Sequence, residues 1–389
     1  MTMRDVAIVG IGQTPVGEHW GASLRELGAE AILMALADAG VSRADALIVG
    51  NAFGASFSSQ TQLGALLADY TNLNPIEAWT VEAADASGGA ALRAGYMAVA
   101  SGLADVVIVV GVEKSTDSIA QTRVMARNVA LDADYEAAHG LTQSAQAGLV
   151  MRRYMHEYDV ELGAFEGFSI NAHANAKGNK NAMFQNQIKP GAFAKASMVA
   201  DPVNLFDGAP DADGAAAVIL MSAEAARELG KPAVLIAGSA AATDRLTLHE
   251  RHDLLDLVAV TESAYKALEQ AEVALGDVQF MELHDSYTIL TSLALEAMGF
   301  AERGQGWTLA ANAGEMLRPS GKLPISTFGG LKARGNPVGA TGIYQAVEAC
   351  LQLRGQAGVH QVPQAHTALI QSIGGFGSTA VTHVLRSLD

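Results

Sequence analysis

The sequence predicts an α/β fold assembled from two similar halves, and three observations predict it. Apolar runs such as "VAIVGIG", with no polar side chain from Val6 to Gly12, alternate with stretches of helical spacing. Such continuous runs mark strands of a sheet covered on both faces. The same order of elements recurs later in the chain. At 389 residues the chain is also too long for one simple core.

Each element has its own reason. "LRELGAEAILMALADAG" spaces Leu24, Leu27, Ala31 and Met34 as one helical face and ends at Gly40, a left-handed stop. "DALIVG" returns to strand. The helix after Asp85 puts Leu92, Tyr96 and Val99 on one face and stops at Gly102, and "ADVVIVVGVE" is the next buried strand. The second round runs through "PAVLIAGSA", the helical "TESAYKALEQAEVA", the strand "VQFMEL", the turn and helix "GGLKARGNPVGATGIYQAVEACLQL", and the strands "TALIQSIGG" and "TAVTHVLRS". The expected division is a first half of residues 1–114 and 206–230, an inserted loop domain at 115–205, and a second half at 231–389. The inserted segment is rich in Met, Asn, His and Lys and weakly patterned, as functional loops and lids are.

Composition excludes several classes. The net charge is −16, whereas nucleic-acid binding needs a basic surface. No apolar run reaches the roughly 18 residues of a membrane span, and the N-terminus enters a strand without a signal-peptide pattern. The single Cys350 excludes a disulfide framework and a cysteine-based zinc site. A cytoplasmic enzyme with no bound metal or cofactor is the expectation. One stretch stands out: Gly167–Ala200 carries Lys177, Lys180, Lys189 and Lys195 and no acidic residue. It is either a solvated loop or a basic segment that steers a phosphorylated small molecule.

Two corners occupy equivalent places in the duplication. "AADASGGAAL" holds Asp85 and "ARGNPVGATG" holds Asn336, each in a glycine-bearing turn that feeds a helix. If the halves pack around a pseudo-two-fold axis, both helix N-termini converge on one cleft. Their unpaired N–H groups suit a thioester carbonyl, an oxyanion or a phosphate. The simpler alternative is a cap, since Asp and Asn both cap helices for about 1 kcal/mol.

At these residues the chain resembles the thiolase superfamily, in particular its sterol-carrier-type and archaeal-type branches. "VEAADASGG" is similar to the nucleophile motif and "ELHDSYTILTSLALEAMGF" to the His-Asp-Cys-Phe motif. "GGLKARGNPVGATG" is similar to the Gly-His-Pro loop, and "QSIGGFGST" to the C-terminal glycine-rich turn. The resemblance covers nearly the whole length. It implies a five-layer α-β-α-β-α sandwich, a homodimer, a mid-chain loop domain over the coenzyme A site, and an acyl-CoA substrate. It also implies coenzyme A contacts from Lys177, Lys180 and Lys189 and from Gly374 and Gly375 of the glycine-rich turn.

The departures from the family pattern fall on the chemistry. Asp85 stands where the family has its nucleophilic cysteine, and Asn336 where it has the activating histidine. Ser286 and Ser372 occupy the two positions used by the second cysteine. Cys350 lies inside a helix and is not a displaced nucleophile. His284 and Asp285 are kept, and Tyr287 and Tyr344 lie near the two corners. The expected catalytic set is Asp85, His284, Asn336, Tyr287 and Tyr344, with structural alternatives for the histidine and both tyrosines. A Ser286–His284–Asp285 triad is disfavoured, because triads are built in space and not by adjacency. The usual transfer through a cysteinyl thioester has no nucleophile here. Retro-aldol cleavage of a β-hydroxyacyl-CoA needs none, and some relatives that do this pair with a small OB-fold, zinc-ribbon subunit. The competing expectation is a non-catalytic, acyl-CoA-holding subunit.

Overall fold

The computed structural model describes residues 3–388. In chain order the strands are β1 (Val6–Gln13), β2 (Ala46–Gly50), β3 (Glu77–Val81), β4 (Val106–Glu113), β5 (Met198–Ala200), β6 (Val203–Asn204), β7 (Gly214–Ser222), β8 (Val234–Thr243), β9 (Phe280–Glu282), β10 (Thr367–Gly374) and β11 (Thr379–Ser387). Nine of them form one mixed sheet in the order β3-β2-β4-β7-β1-β8-β11-β10-β9. The remaining pair, β5 and β6, forms a separate ribbon.

The sheet is the duplication made visible. Outward from the centre, β1 pairs antiparallel with β7, β7 antiparallel with β4, and β4 parallel with β2, which is parallel to β3. Outward on the other side, β8 pairs antiparallel with β11, β11 antiparallel with β10, and β10 parallel with β9. A single parallel bridge from Met281 to Ile325 takes the place of β3. The halves meet where β1 and β8 run antiparallel, at Ala7–Leu235 and Ile8–Val234.

Strand alternation then builds the layers. Val6 and Ile8 turn to one face of the sheet and Ala7 and Val9 to the other, so both faces of the same strand are apolar. Ala7 and Val9 pack under the outer helix Leu24–Ala39. That helix begins with a capping box at Ser23 and Glu26 and ends at Gly40, at φ 72°. The outer face of the second half is covered by helices Val258–Ala271 and Thr288–Ala297. Between the halves lie helices Ser87–Ala100 and Thr341–Leu353, which share one core with strands from both. Leu92, Tyr96 and Val99 are buried in that core, on the face their spacing predicts.

The two central helices touch at their N-terminal ends, and glycine makes the contact possible. A Cβ on Gly88 would stand 2.8 Å from the Gly339 carbonyl oxygen, and one on Gly342 would stand 2.3 Å from the Gly89 nitrogen. Backbone therefore lies on backbone, and no side chain fits between. Replacing Gly88 by valine is expected to destabilise the protein by about 1–3 kcal/mol through overpacking. A urea melt with an unchanged midpoint would count against this packing.

Residues 115–205 contribute no strand to the main sheet. They hold helices Ala120–Arg127, Gln143–Tyr158 and Glu166–Asn175 and the β5–β6 ribbon. The first of these helices bears directly on the Asp85 corner.

Candidate active site

Asp85 does not cap its helix. The helix starts at Ser87 behind Ala86, and no side-chain cap bond is made there. The turn is held instead by Ser87, whose hydroxyl donates to the Ala84 carbonyl at 2.6 Å and accepts from the Ala83 N–H at 2.9 Å. Ala84 takes φ 49°, a conformation unfavourable for alanine, and this aims Asp85 away from the helix end. The Asp85 carboxylate is 2% exposed. Arg127 Nη2 donates to its Oδ1 at 2.9 Å, and Gln143 Nε2 donates to its Oδ2 at 3.2 Å.

Arg127 uses its other donors nearby. Nη1 donates to Asp211 Oδ1 at 2.5 Å and Nε to Gln143 Oε1 at 3.1 Å. Asp211 Oδ2 also accepts from Arg123 Nε at 3.1 Å. Burial disfavours the Arg127 charge, but Asp85 and then Asp211 outweigh it, and its pKa rises above the ordinary value. Two carboxylates and two guanidiniums thus form a chain without net charge.

The opposite corner is the turn at Asn336. Its Oδ1 accepts from the Val338 N–H at 3.0 Å and from the Thr341 hydroxyl at 3.1 Å. Those bonds set the start of the second central helix, and the Asn336 amide hydrogens have no partner among the described residues. Val338 takes φ 38°, so this turn, like the one before Asp85, holds a non-glycine residue in the left-handed region. The segment 208–211 joins the Asn336 turn to the Tyr287 segment: Gly208 bridges to Tyr287 and Asp211 to Asn336. Glu113 steadies the same turn from below, accepting from Gly339 N–H at 3.2 Å and from Ala52 N–H at 2.9 Å. Burial pushes the Glu113 carboxyl up to about 7.

A cavity of about 340 Å³ is lined among others by Arg127, Gln143, Asp211, Ser286, Tyr287 and Asn336; Asp85 is not in its wall and sits behind Arg127 and Gln143, which are. A second cavity of about 340 Å³ lies beyond Tyr287, with Phe184, Leu205, Phe206, Pro210 and Lys332 in its more apolar wall. Both share Ser144, Val199, Ala209 and Tyr287. The Tyr287 hydroxyl is 3.0 Å from Ser144 Oγ, and burial raises its pKa, so the phenol is protonated at neutral pH. The Ser286 side chain lines the first cavity and has no hydrogen-bond partner among the described residues.

His284 is buried behind this wall, and its Nδ1 has no partner among the described residues. Burial lowers its pKa to about 4; Asp85 pulls the other way, and Arg127 and Arg334 add to the lowering. The imidazole is therefore neutral at physiological pH. An unfolded histidine titrates near 6.5, so between there and about 4 the unfolded chain binds the extra proton. Stability contributed by this group is complete above 6.5 and is lost as pH falls through that window. Glu113 works the opposite way, losing its contribution as pH rises through about 7. The variant difference isolates His284: His284→Gln is expected to flatten the acid limb of stability against pH in urea titrations. An acid limb as steep as the parent's would refute the neutral imidazole.

The other sequence-predicted residues fall in different places. Tyr344 is not brought to the cavity. Its hydroxyl donates to the Thr14 carbonyl at 2.9 Å, in the core between β1 and β7, and its ring carries Arg334 at 5.1 Å. Lys177, Lys180 and Lys189 are exposed, and none lines either cavity. Gly374 lies against the Asp85 turn, where a Cβ would meet the Ala83 carbonyl oxygen at 2.4 Å. Gly375 follows at φ 59°. Cys350 is fully buried, and burial pushes its thiol up to about 12, so it supplies no thiolate. Asp285 shapes the Asn336 loop, accepting from Leu331 N–H at 2.7 Å.

Sequence reasoning missed Arg127, Gln143, Asp211, Lys332 and the buried Arg334–Glu348 pair at 2.6 Å. The available signal was in "AQTRVMAR", where two arginines four apart share one helix face inside the segment already suspected of function. Among the described residues, no group of three or more His, Cys, Asp or Glu could hold a metal, and no helix is long and apolar enough to cross a membrane.

A duplicated α/β scaffold with two central helices in contact is the fold of the thiolase superfamily, and this chain belongs to it. Residues 6–204 match the family described as "Thiolase, N-terminal domain", and residues 240–387 match "Thiolase C-terminal domain-like". It is a member with only one cysteine, and that one is not placed for catalysis. The chain is 43% identical to an acetyl-CoA acetyltransferase of Methanothermobacter thermautotrophicus, over 98% of this chain and 99% of that one. It is 30% identical to the 17-hydroxy-3-oxo-4-pregnene-20-carboxyl-CoA lyase of Mycobacterium tuberculosis, over 91% and 93%. The solved Ltp2-ChsH2(DUF35) aldolase superposes with a TM-score of 0.87 at 25% identity, covering 100% of this chain and 99% of that chain.

Proposed function

We propose that this protein is an enzyme that cleaves a β-hydroxyacyl-CoA by a retro-aldol reaction, without an acyl-enzyme. One observation carries the reading. A carboxylate held by Arg127 and Gln143 stands where the family has its sulfur, and an amide with free hydrogens faces the cavity from the other half. The lyase and aldolase among the relatives support cleavage over transfer.

The residues divide the work as follows. Asp85 accepts the proton of the substrate β-hydroxyl as the Cα–Cβ bond breaks, and an aldehyde or ketone forms at Cβ. The electron pair of that bond becomes the thioester enolate. Asn336 Nδ2 donates to the enolate oxygen, and the protonated Tyr287 phenol supplies a second donor in the same cavity. The proton then passes from Asp85 to Cα, which releases acyl-CoA and balances the reaction. His284 stays neutral and keeps the wall behind Asp85 free of a second positive charge.

The inserted loop domain, residues 115–205 between the halves 1–114 with 206–230 and 231–389, covers the coenzyme A end. Lys177, Lys180 and Lys189 lie on the same segment as His173 and Phe184 of the second cavity and form no ion pair among the described residues, which leaves them available for the adenosine phosphates. Gly374 and Gly375 contribute backbone. The protein acts in the cytoplasm, as a homodimer, with a small OB-fold, zinc-ribbon subunit as partner. The exposed edge strand β3, with Trp79 59% exposed, favours the homodimer. Trp79→Lys is expected to shift the mass measured by light scattering from dimer to monomer; an unshifted dimer mass rejects this edge.

The test of the reaction is a panel of β-hydroxyacyl-CoA thioesters, with carbonyl product and shortened acyl-CoA followed by mass spectrometry, with and without the partner subunit. Cleavage of any member supports the reading. Thioester binding with no cleavage across the panel instead supports an acyl-CoA-holding subunit, which the absence of every usual catalytic thiol favours.

A further inference from the structure

We infer that Arg127 is the positioning residue of this site: it fixes the Asp85 carboxylate and, through Asp211, ties it to the Asn336 turn. The inference rests on the reading above. Asp85 has one donor on each oxygen, and both donors, Arg127 and Gln143, belong to the inserted segment. Its own helix supplies none. A third bond, from Arg127 Nε to Gln143 Oε1, closes the triangle, so neither partner can turn without breaking two contacts. The scaffold of the two halves therefore presents the carboxylate, but the inserted helix Ala120–Arg127 decides where it points.

The same guanidinium is linked to the second half through Asp211. Nη1 holds Asp211, whose backbone bridges to Asn336. The neighbouring backbone bonds run both ways, from Asn336 N–H to the Pro210 carbonyl at 3.1 Å and from Ala212 N–H to the Asn336 carbonyl at 3.2 Å. One planar fork with donors at fixed angles thus sets the separation between the acid of the first half and the amide of the second. A lysine ammonium, a point charge on a flexible stem, cannot hold three acceptors in those directions. Arg123 takes the remaining oxygen of Asp211, so Arg127 is not drawn away from Asp85.

The test compares Arg127→Met and Arg127→Lys with the parent chain at full length. With a thioester that the parent cleaves, Arg127→Met is expected to lower kcat by about 100-fold, the cost of a misplaced catalytic group. Thioester Kd by calorimetry should change far less than kcat, and Arg127→Lys should recover part of kcat. Parental kcat in Arg127→Met, or a Kd that weakens as much as kcat falls, overturns the inference. If the parent cleaves nothing, the functional reading fails on its own and crystal structures decide the positioning: an Asp85 carboxylate unmoved without Arg127 overturns it, and a displaced one supports it. Should Arg127→Met not fold, the same kcat, Kd and structural comparisons are read from Arg127→Lys.

Discussion

Replacing Asp85 by cysteine together with Asn336 by histidine is expected to let acetyl-CoA transfer one acetyl group to the chain. The parent, which lacks a reactive thiol, should take none. The scaffold for that chemistry is still in place. A cysteine at 85 would sit beside the Arg127 guanidinium, whose positive charge favours a thiolate. A histidine at 336 would lie in the cavity wall on the facing turn, the position from which the family's histidine takes the thiol proton. Intact-protein mass spectrometry after incubation with acetyl-CoA reads the result directly. Cys350 does not confuse it, because that thiol is buried and held protonated. A doubly substituted chain that folds but gains no mass would mean that the cleft has diverged well beyond these two positions.

The second large effect concerns Asn336 in the native enzyme. Asn336→Asp keeps the oxygen that accepts from Val338 and Thr341, so the turn survives. It removes the only side-chain donor of that residue and puts a negative charge where the enolate oxygen develops. A loss of about 10²–10³ in kcat is expected, the usual cost of one oxyanion donor, with repulsion adding to it. Asn336→Ala removes the donor and the turn bonds together, so it should lower stability as well. A kcat for Asn336→Asp within a few-fold of the parent would remove Asn336 from the mechanism.

Local patterning made much of this molecule legible. The apolar runs at β1, β4, β8 and β10 lie in strands, the face carrying Leu92, Tyr96 and Val99 is buried, and the repeated element order appears as mirrored strand pairing about β1 and β8. The two corners do meet, because glycine at 88, 89, 339 and 342 lets the central helices touch. The cap alternative at Asp85 fails for a reason that composition does not hold: the φ of Ala84 and the Ser87 hydroxyl turn the carboxylate away from its own helix.

What the sequence determined by itself was the α/β class, the duplication, and the loss of thiol and imidazole at positions where the scaffold persists. The first two follow from spacing and element order, which a linear chain displays, and the third from the resemblance of its motifs to those of the thiolase family. Only the tertiary structure decided that Asp85 pairs with Arg127, 42 positions away, and that Tyr344 is spent on Thr14, 330 positions away. Periodicity records which face of an element is buried; it carries no record of which distant polar group will satisfy a buried one. That choice is made when the low dielectric of the closed interior makes an unpaired charge or hydroxyl costly, and it depends on which donors the fold has brought within reach.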